Sequence, residues 1–299
     1  MVSATVLTIY TAMSSVKSSA KPLHVPSVKL LLWCGIISIV ILFFAPIFWQ
    51  ILTSIKLNED ISAIPNVYFP QRITLEHYTE LFTRRPFLTY IFNSALVASI
   101  STVLCLVFGS PAAYGLARMK LPGEKIILTG ILIVTLFPYV LLFLGLLEIV
   151  KAIGLGNNYL ALIIPYTAIN LPLTILVMRS FFLQLPKDLE DAAKIDGYNT
   201  LGMLVNIVLP MTLPALATTG ILTFIFAWNE YIFALTFITE EAKKTIPVAV
   251  AQLGGANLFD IPYGPIAAAT VLGTLPLVIL VLVFQRQIVQ GLTAGAVKG

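Results

Sequence analysis

Apolar residues run through this chain in long blocks, and polar residues gather in the short stretches between them. A helix rises about 1.5 Å per residue, so roughly 20 apolar residues carry it across the hydrocarbon of a bilayer. Six blocks reach that length: residues 30 to about 55, about 87 to 117, 126 to about 147, 159 to about 182, about 211 to 237, and about 264 to 284. The pattern predicts an all-α membrane protein with six transmembrane helices. It divides into a tail (1–29), a first transmembrane helix (30–55), a long loop (56–86), a five-helix core (87–285) with a polar loop at 185–210, and a second tail (286–299).

Composition supports lipid as the solvent. The chain is 58% hydrophobic and only 11% charged, less than half of the roughly 25% usual in soluble proteins. Its mean hydropathy is +0.95. A net charge of +4 needs no nucleic-acid partner, because lysines and arginines flanking membrane spans account for it. Lys17, Lys21, Lys29, Arg118, Lys120, Lys125, Arg179, Lys187, Lys194, Arg286 and Lys298 fall on one side of the predicted spans. Lys56, Arg72, Arg84, Arg85, Lys151, Lys243 and Lys244 fall on the other. The richer side is expected in the cytoplasm, with both termini and the 185–210 loop, and loop 56–86 outside. The block after Lys29 is too long for a signal-peptide core and lacks a small-residue cleavage site, so it reads as an uncleaved span. Cys34 and Cys105 read as small buried hydrophobes. His24 and His77 read as exposed tail and loop residues. No spacing suggests a metal site, and no G-x-x-x-x-G-K-[ST] phosphate loop occurs, so no cofactor is expected on this chain.

Several spans carry polar residues and prolines, which lipid tolerates only where they face protein or a water-lined cavity. Asn170 lies between Pro165 and Pro172, and Tyr139 follows Pro138. Tyr139 and Asn170 therefore either line a solute path or pack and bond between helices; the sequence leaves both open. Asn229, in "FAWNEYIFAL" beside Trp228, Glu230 and Tyr231, is open between a pathway role and interfacial anchoring. Arg179 is expected to snorkel from the end of its span.

The polar loop stands out. In "LPKDLEDAAKIDGYN", residues 185–199, four acids and two lysines crowd into about ten residues. Pro186 suits a first helical position. Leu189, Ala192 and Ala193 share a face at helical spacing, with Leu185 and Asp196 near it. Glu190–Lys194 and Lys187–Asp191 are four apart, as paired charges on a helix are. Gly197 suits a left-handed stop, Asn199 or Thr200 a cap for a second helix over 201–208, and Pro210 its end or a kink. The two alanines predict a smooth face that another protein's groove can approach closely.

The same segment resembles the EAA loop of ABC importer permeases: E-A-A, three residues, G, nine residues, I-x-L-P. Here it reads "DAAKIDG", "YNTLGMLVN", "IVLP", from Asp191 to Pro210, with aspartate where glutamate is usual and Glu190 just before it. "NSALVAS", "AAYGLAR", "FAWNEYIFAL" and "FQRQIVQGLTAGAVKG" are similar to the MalG-like half of carbohydrate ABC importers, such as those for maltose and trehalose. The resemblance implies the type I ABC importer permease fold, with six transmembrane helices. It also implies a second homologous permease subunit, two cytoplasmic ATPase subunits that use ATP and Mg, and an extracytoplasmic sugar-binding protein. The chain itself is then a non-catalytic subunit in the cell (inner) membrane. Glu190, Asp191, Ala192, Ala193, Asp196, Gly197 and Pro210 are implied to couple to the ATPase. Gln252, Gly254, Gly255 and Asn257 correspond to a segment that meets the binding protein, and the tail after Arg286 to one that reaches toward the ATPase.

The loop reports the ATPase and not the cargo, so an importer for a glycerol phosphate ester or a polyamine is the alternative. The spans show no deep basic residues, which favours a neutral solute. A stand-alone channel or secondary transporter predicts intramembrane acids as ion relays, of which there are few, and gives the polar loop no use.

Overall fold

The computed structural model describes residues 26–254 and 261–296, with side chains described as far as residue 288. Every regular element among them is helical. The chain forms two compact units, residues 1–49 and 50–299.

The first apolar block is one helix, α1 (Pro26–Ser54), continuous through Pro46. From residue 29 to 51 it is exposed all round, as an apolar helix with lipid for solvent is. Cys34 is exposed there, not buried, whereas Cys105 is buried as expected.

The second unit contains α2 (Glu76–Thr83), α3 (Phe87–Arg118), α4 (Glu124–Leu136), α5 (Phe143–Ala152), α6 (Leu160–Phe182), α7 (Lys187–Ile195), α8 (Thr200–Met203), α9 (Leu213–Asn229), α10 (Ile232–Phe237), α11 (Ile246–Ala251) and α12 (Tyr263–Ala296). Four helices, α1, α3, α6 and α12, are by themselves long and apolar enough to cross a membrane. Two bent pairs raise the number to six if each counts as one span.

The two bends fall within the third predicted span, at Pro138, and at the start of the fifth. The third turns by 86° between α4 and the pair formed by a 3-10 turn, Tyr139–Leu142, and α5. Phe137 is extended there (φ −73, ψ 132), the conformation that a following proline, Pro138, imposes. A second bend, of 83°, falls at Thr212, between the Thr200–Met211 segment and α9. It lies just past Pro210, where an end or kink was expected. A π-helical turn, Leu204–Val208, leads into it, and Pro214 lies in the first turn of α9, where its missing N–H is no loss. Glu230 is extended (φ −67, ψ 130), so the predicted fifth span breaks again before α10. By contrast, α6 runs unbroken through Pro165 and Pro172, and α12 continues to Ala296, ten residues past the predicted start of a tail.

At the centre α3 packs along α6. Ala98, Ser101, Cys105, Gly109 and Ala113 are buried along α3. A Cβ on Gly109 would lie 2.6 Å from Thr174 Cγ2, so glycine is what permits this approach. Two apolar clusters form around the pair. One gathers Tyr90, Leu162, Tyr166, Phe233 and Val248. The other gathers Tyr114, Met178, Phe182, Ala193, Met203 and Val208.

Loop 56–86 is tied down more than the sequence suggests. His77 is not an exposed loop residue: it is 1% exposed and its Nε2 bonds the Lys56 carbonyl at 2.8 Å. A Cβ on Gly264 would collide with its ring, so glycine at the start of α12 makes room for it. His24 lies outside the described residues.

Candidate functional site

Helix α7 forms where the predicted short helix was placed. Pro186 is its extended cap residue (φ −58, ψ 136), not its first helical one. The end is closed as expected by Gly197 in the left-handed region (φ 85). The Tyr198 amide donates to Ala193 O at 3.0 Å and the Gly197 amide to Lys194 O at 3.1 Å, a Schellman closure. Asn199 then caps α8, its side-chain oxygen accepting from the Gly202 amide at 2.7 Å.

The faces of α7 differ from the expected ones. Ala193 is 2% exposed and packs into the chain's own core, so Ala192 and Ala193 do not together form an outward surface. Asp191, Ala192, Asp196 and Gly197 face out, and Ile195 is 87% exposed. The predicted i,i+4 ion pairs are absent. Lys194 pairs with Asp191 at 3.1 Å, while Glu190 turns inward to Arg118, with 2.8 Å between Nε and Oε1. That approach is a close ion pair without the alignment of a hydrogen bond. Arg118 also donates to the Leu185 carbonyl. Arg179 does not snorkel: it pairs with Glu124 and donates to the Leu116 carbonyl at 3.2 Å.

Tyr139 and Asn170 meet in one cavity of about 510 Å³, bounded also by Ile133, Val134, Leu173 and Phe226, with no charged lining side chain. The bend at Pro138 turns α5 away from α4 beside it. Tyr139 is held edge-on against Phe226 and Phe233, at 5.4 and 6.1 Å between ring centres. Asn170 is 4% exposed, and its amide bonds the Tyr166 carbonyl one turn back at 2.8 Å. Asn229 is elsewhere. It lines a separate cavity of about 280 Å³ with Trp228, Pro247 and Thr270. Trp228 is buried and donates to the Gly273 carbonyl at 3.2 Å, so it is a packing residue and not an interfacial anchor.

Sequence reasoning missed the role of Glu230. It is 4% exposed and accepts from Tyr166 Oη and from the amides of Phe233 and Ala234 at 2.9 and 3.2 Å. It thereby caps α10 across the break, and α10 carries the Phe233 that supports Tyr139. An acid directly ahead of an apolar run was the available signal.

Gln252 and Gly254 bound a single 3-10 turn that buries Leu253. Gly255 and Asn257 lie outside the described residues.

Residues 105–294 match the family of binding-protein-dependent transport system inner membrane components. A sulfoquinovosyl glycerol transport system permease of Agrobacterium fabrum is 40% identical over 94% of this chain and 95% of its own length. A trehalose/maltose transport system permease of Thermococcus litoralis is 39% identical over 91% and 97%, and a trehalose transport system permease of Mycobacterium tuberculosis 38% over 85% and 92%. Among solved structures, a chain of a bacterial ABC transporter involved in alginate import superposes with a TM-score of 0.74. It is 23% identical over 89% of this chain and 98% of that one, a likeness of fold. The chain belongs to the family of binding-protein-dependent transport system inner membrane components, with the multi-pass fold of an ABC importer permease.

Proposed function

We propose that this chain is one permease subunit of an ATP-driven, binding-protein-dependent sugar importer, forming half of the pathway and coupling it to ATPase subunits in the cytoplasm. The observation that carries the coupling role is the outward side of the 185–210 loop. Ile195, Tyr198 and Leu201 are exposed beside Asp188, Asp191 and Asp196. A small apolar surface edged by acids, spread over the end of α7 and the closed turn and capped helix that follow, suits the groove of a soluble partner. Asp191, Ala192, Asp196 and Gly197 then meet the ATPase, while Glu190 and Ala193 hold the loop to its own membrane helices. Pro210 precedes the bend at Thr212 that returns the chain to the core.

In this reading the charge-rich ends, both termini included, lie in the cytoplasm. Two ATPase subunits use ATP and Mg there, a second homologous permease supplies the other half of the pathway, and a sugar-binding protein docks outside near Gln252 and Gly254. Closure of the ATPases shifts the loop, and the packed helices take one of two arrangements around the cavity.

The uncharged lining beside Tyr139 and Asn170 favours a neutral cargo, and the two relatives named for trehalose point to a disaccharide, while the relative named for sulfoquinovosyl glycerol has an anionic cargo. A glycerol phosphate ester or a polyamine would leave its charge unmatched there. The test is a screen of solutes for stimulated ATP hydrolysis by the chain reconstituted with its second permease, ATPases and binding protein. Stimulation by a disaccharide supports the assignment; stimulation only by a charged solute rejects it.

A further inference from the structure

Arg118 is the last residue of α3, and it grips the loop twice. It donates to the Leu185 carbonyl ahead of α7 and pairs with Glu190 within α7. The paired side chains are only 7% and 12% exposed, and the facing atoms, Arg118 Nε and Glu190 Oε1, are buried. Their surroundings are mainly apolar, with the Tyr114 hydroxyl beside Glu190. Tyr114, one turn back on α3, packs edge-on against Phe182, and Ala193, three residues on along α7, lies in the same cluster. Arg179 and Glu124 brace the same end of α3 through the Leu116 carbonyl.

Apolar contacts alone hold two helices together without fixing one register. A buried ion pair behaves differently. Desolvation makes it a poor source of net stability, yet either charge left alone is costly, so it selects the one arrangement that keeps both matched. Asp191, one residue on, is exposed and pairs with Lys194. The two neighbouring acids thus face opposite ways, one into the chain and one out.

We propose that Arg118 and Glu190 form the joint through which the coupling helix α7 and the span α3 move as one body. This inference rests on the coupling role proposed above and adds the positioning residues that carry it inward. Displacement of α7 passes to α3, whose buried side runs along α6 through the core.

The test uses the complete complex in proteoliposomes, reading ATPase retention and sugar transported per ATP hydrolysed. Wild type comes first: if loaded binding protein fails to stimulate its ATP hydrolysis, the importer reading itself fails. The informative variant is Arg118→Gln/Glu190→Gln, which removes both charges and strands neither. A joint predicts that the ATPases stay attached while transport per ATP falls at least about fivefold. Transport per ATP equal to wild type shows the pair to be merely structural and overturns the proposal. Loss of the ATPases overturns it too, placing Glu190 on the docking face. Should the double variant not fold, Glu190→Asp keeps the charge and shortens the reach. Retained ATPases with lowered coupling then support the joint, and unchanged coupling rejects it.

Discussion

The amide of Tyr198 donates to the carbonyl of Ala193 at 3.0 Å, and this bond ties the end of α7 to its buried side. Ala193 faces the core at 2% exposure while Ile195, two residues on, is 87% exposed. The turn at Gly197, closed by that bond, lets the 185–210 loop present one face.

Gly197→Ala tests that turn. No atom lies within 4 Å of an added Cβ, so the cost is that of a left-handed backbone alone, about 1–2 kcal/mol. Hydrogen exchange across residues 187–203 should accelerate, and ATPase binding should weaken by about fivefold or more. Unchanged exchange would mean that the turn does not organise the loop.

Ile195→Asp separates docking from folding. An exposed site changes stability by within about 0.5 kcal/mol, so the solubilised chain should melt as wild type does while ATPase co-purification drops at least about tenfold. Ala193→Asp buries a charge in an apolar cluster and should chiefly lower the melting temperature. If the two variants behave alike, the assignment of faces is wrong.

Glu230→Ala leaves the Phe233 and Ala234 amides and the Tyr166 hydroxyl without their acceptor. Buried polar groups left unmatched cost about 1–3 kcal/mol each. The variant should lose about 2–5 kcal/mol and show a clearly lower thermal midpoint. Tyr166→Phe removes one donor and should cost less. A thermal midpoint unmoved by Glu230→Ala would show that α10 does not depend on this cap.

Glu241 supplies a pH dependence. The hydrogen bond from Lys244, and then that from Tyr90, hold its carboxyl below the usual carboxylate range. A lowered carboxylate contributes stability above the unfolded value, about 4.3, and loses it as pH falls through the lower folded one. Glu241 is half-exposed, so the effect should be local: limited proteolysis of residues 239–245 should rise below about pH 4. Tyr90→Phe should weaken that dependence, and cleavage indifferent to acid would remove the link.

Much of this is legible in the sequence. The spacing from Asp191 to Pro210 marked the 185–210 loop as the candidate for coupling, and Gly197 and Asn199 end and cap helices where their chemistry said they would. Tyr139 and Asn170, chosen as polar residues beside prolines, line one cavity. Direction was not legible. Hydropathy measures the length of an apolar block and is blind to an 86° turn inside it; only Phe137–Pro138 signalled one. Partners were not legible either. Whether Glu190 meets Lys194 or Arg118, and whether His77 meets water or the Lys56 carbonyl, depends on helices brought together from far along the chain.

The most direct measurement is uptake of a labelled disaccharide into proteoliposomes holding this chain, its second permease and its ATPases, with binding protein outside and ATP inside. The account predicts uptake that requires ATP and binding protein together and is lost with Ile195→Asp. Uptake by this chain alone, or uptake that Ile195→Asp leaves intact, would contradict it.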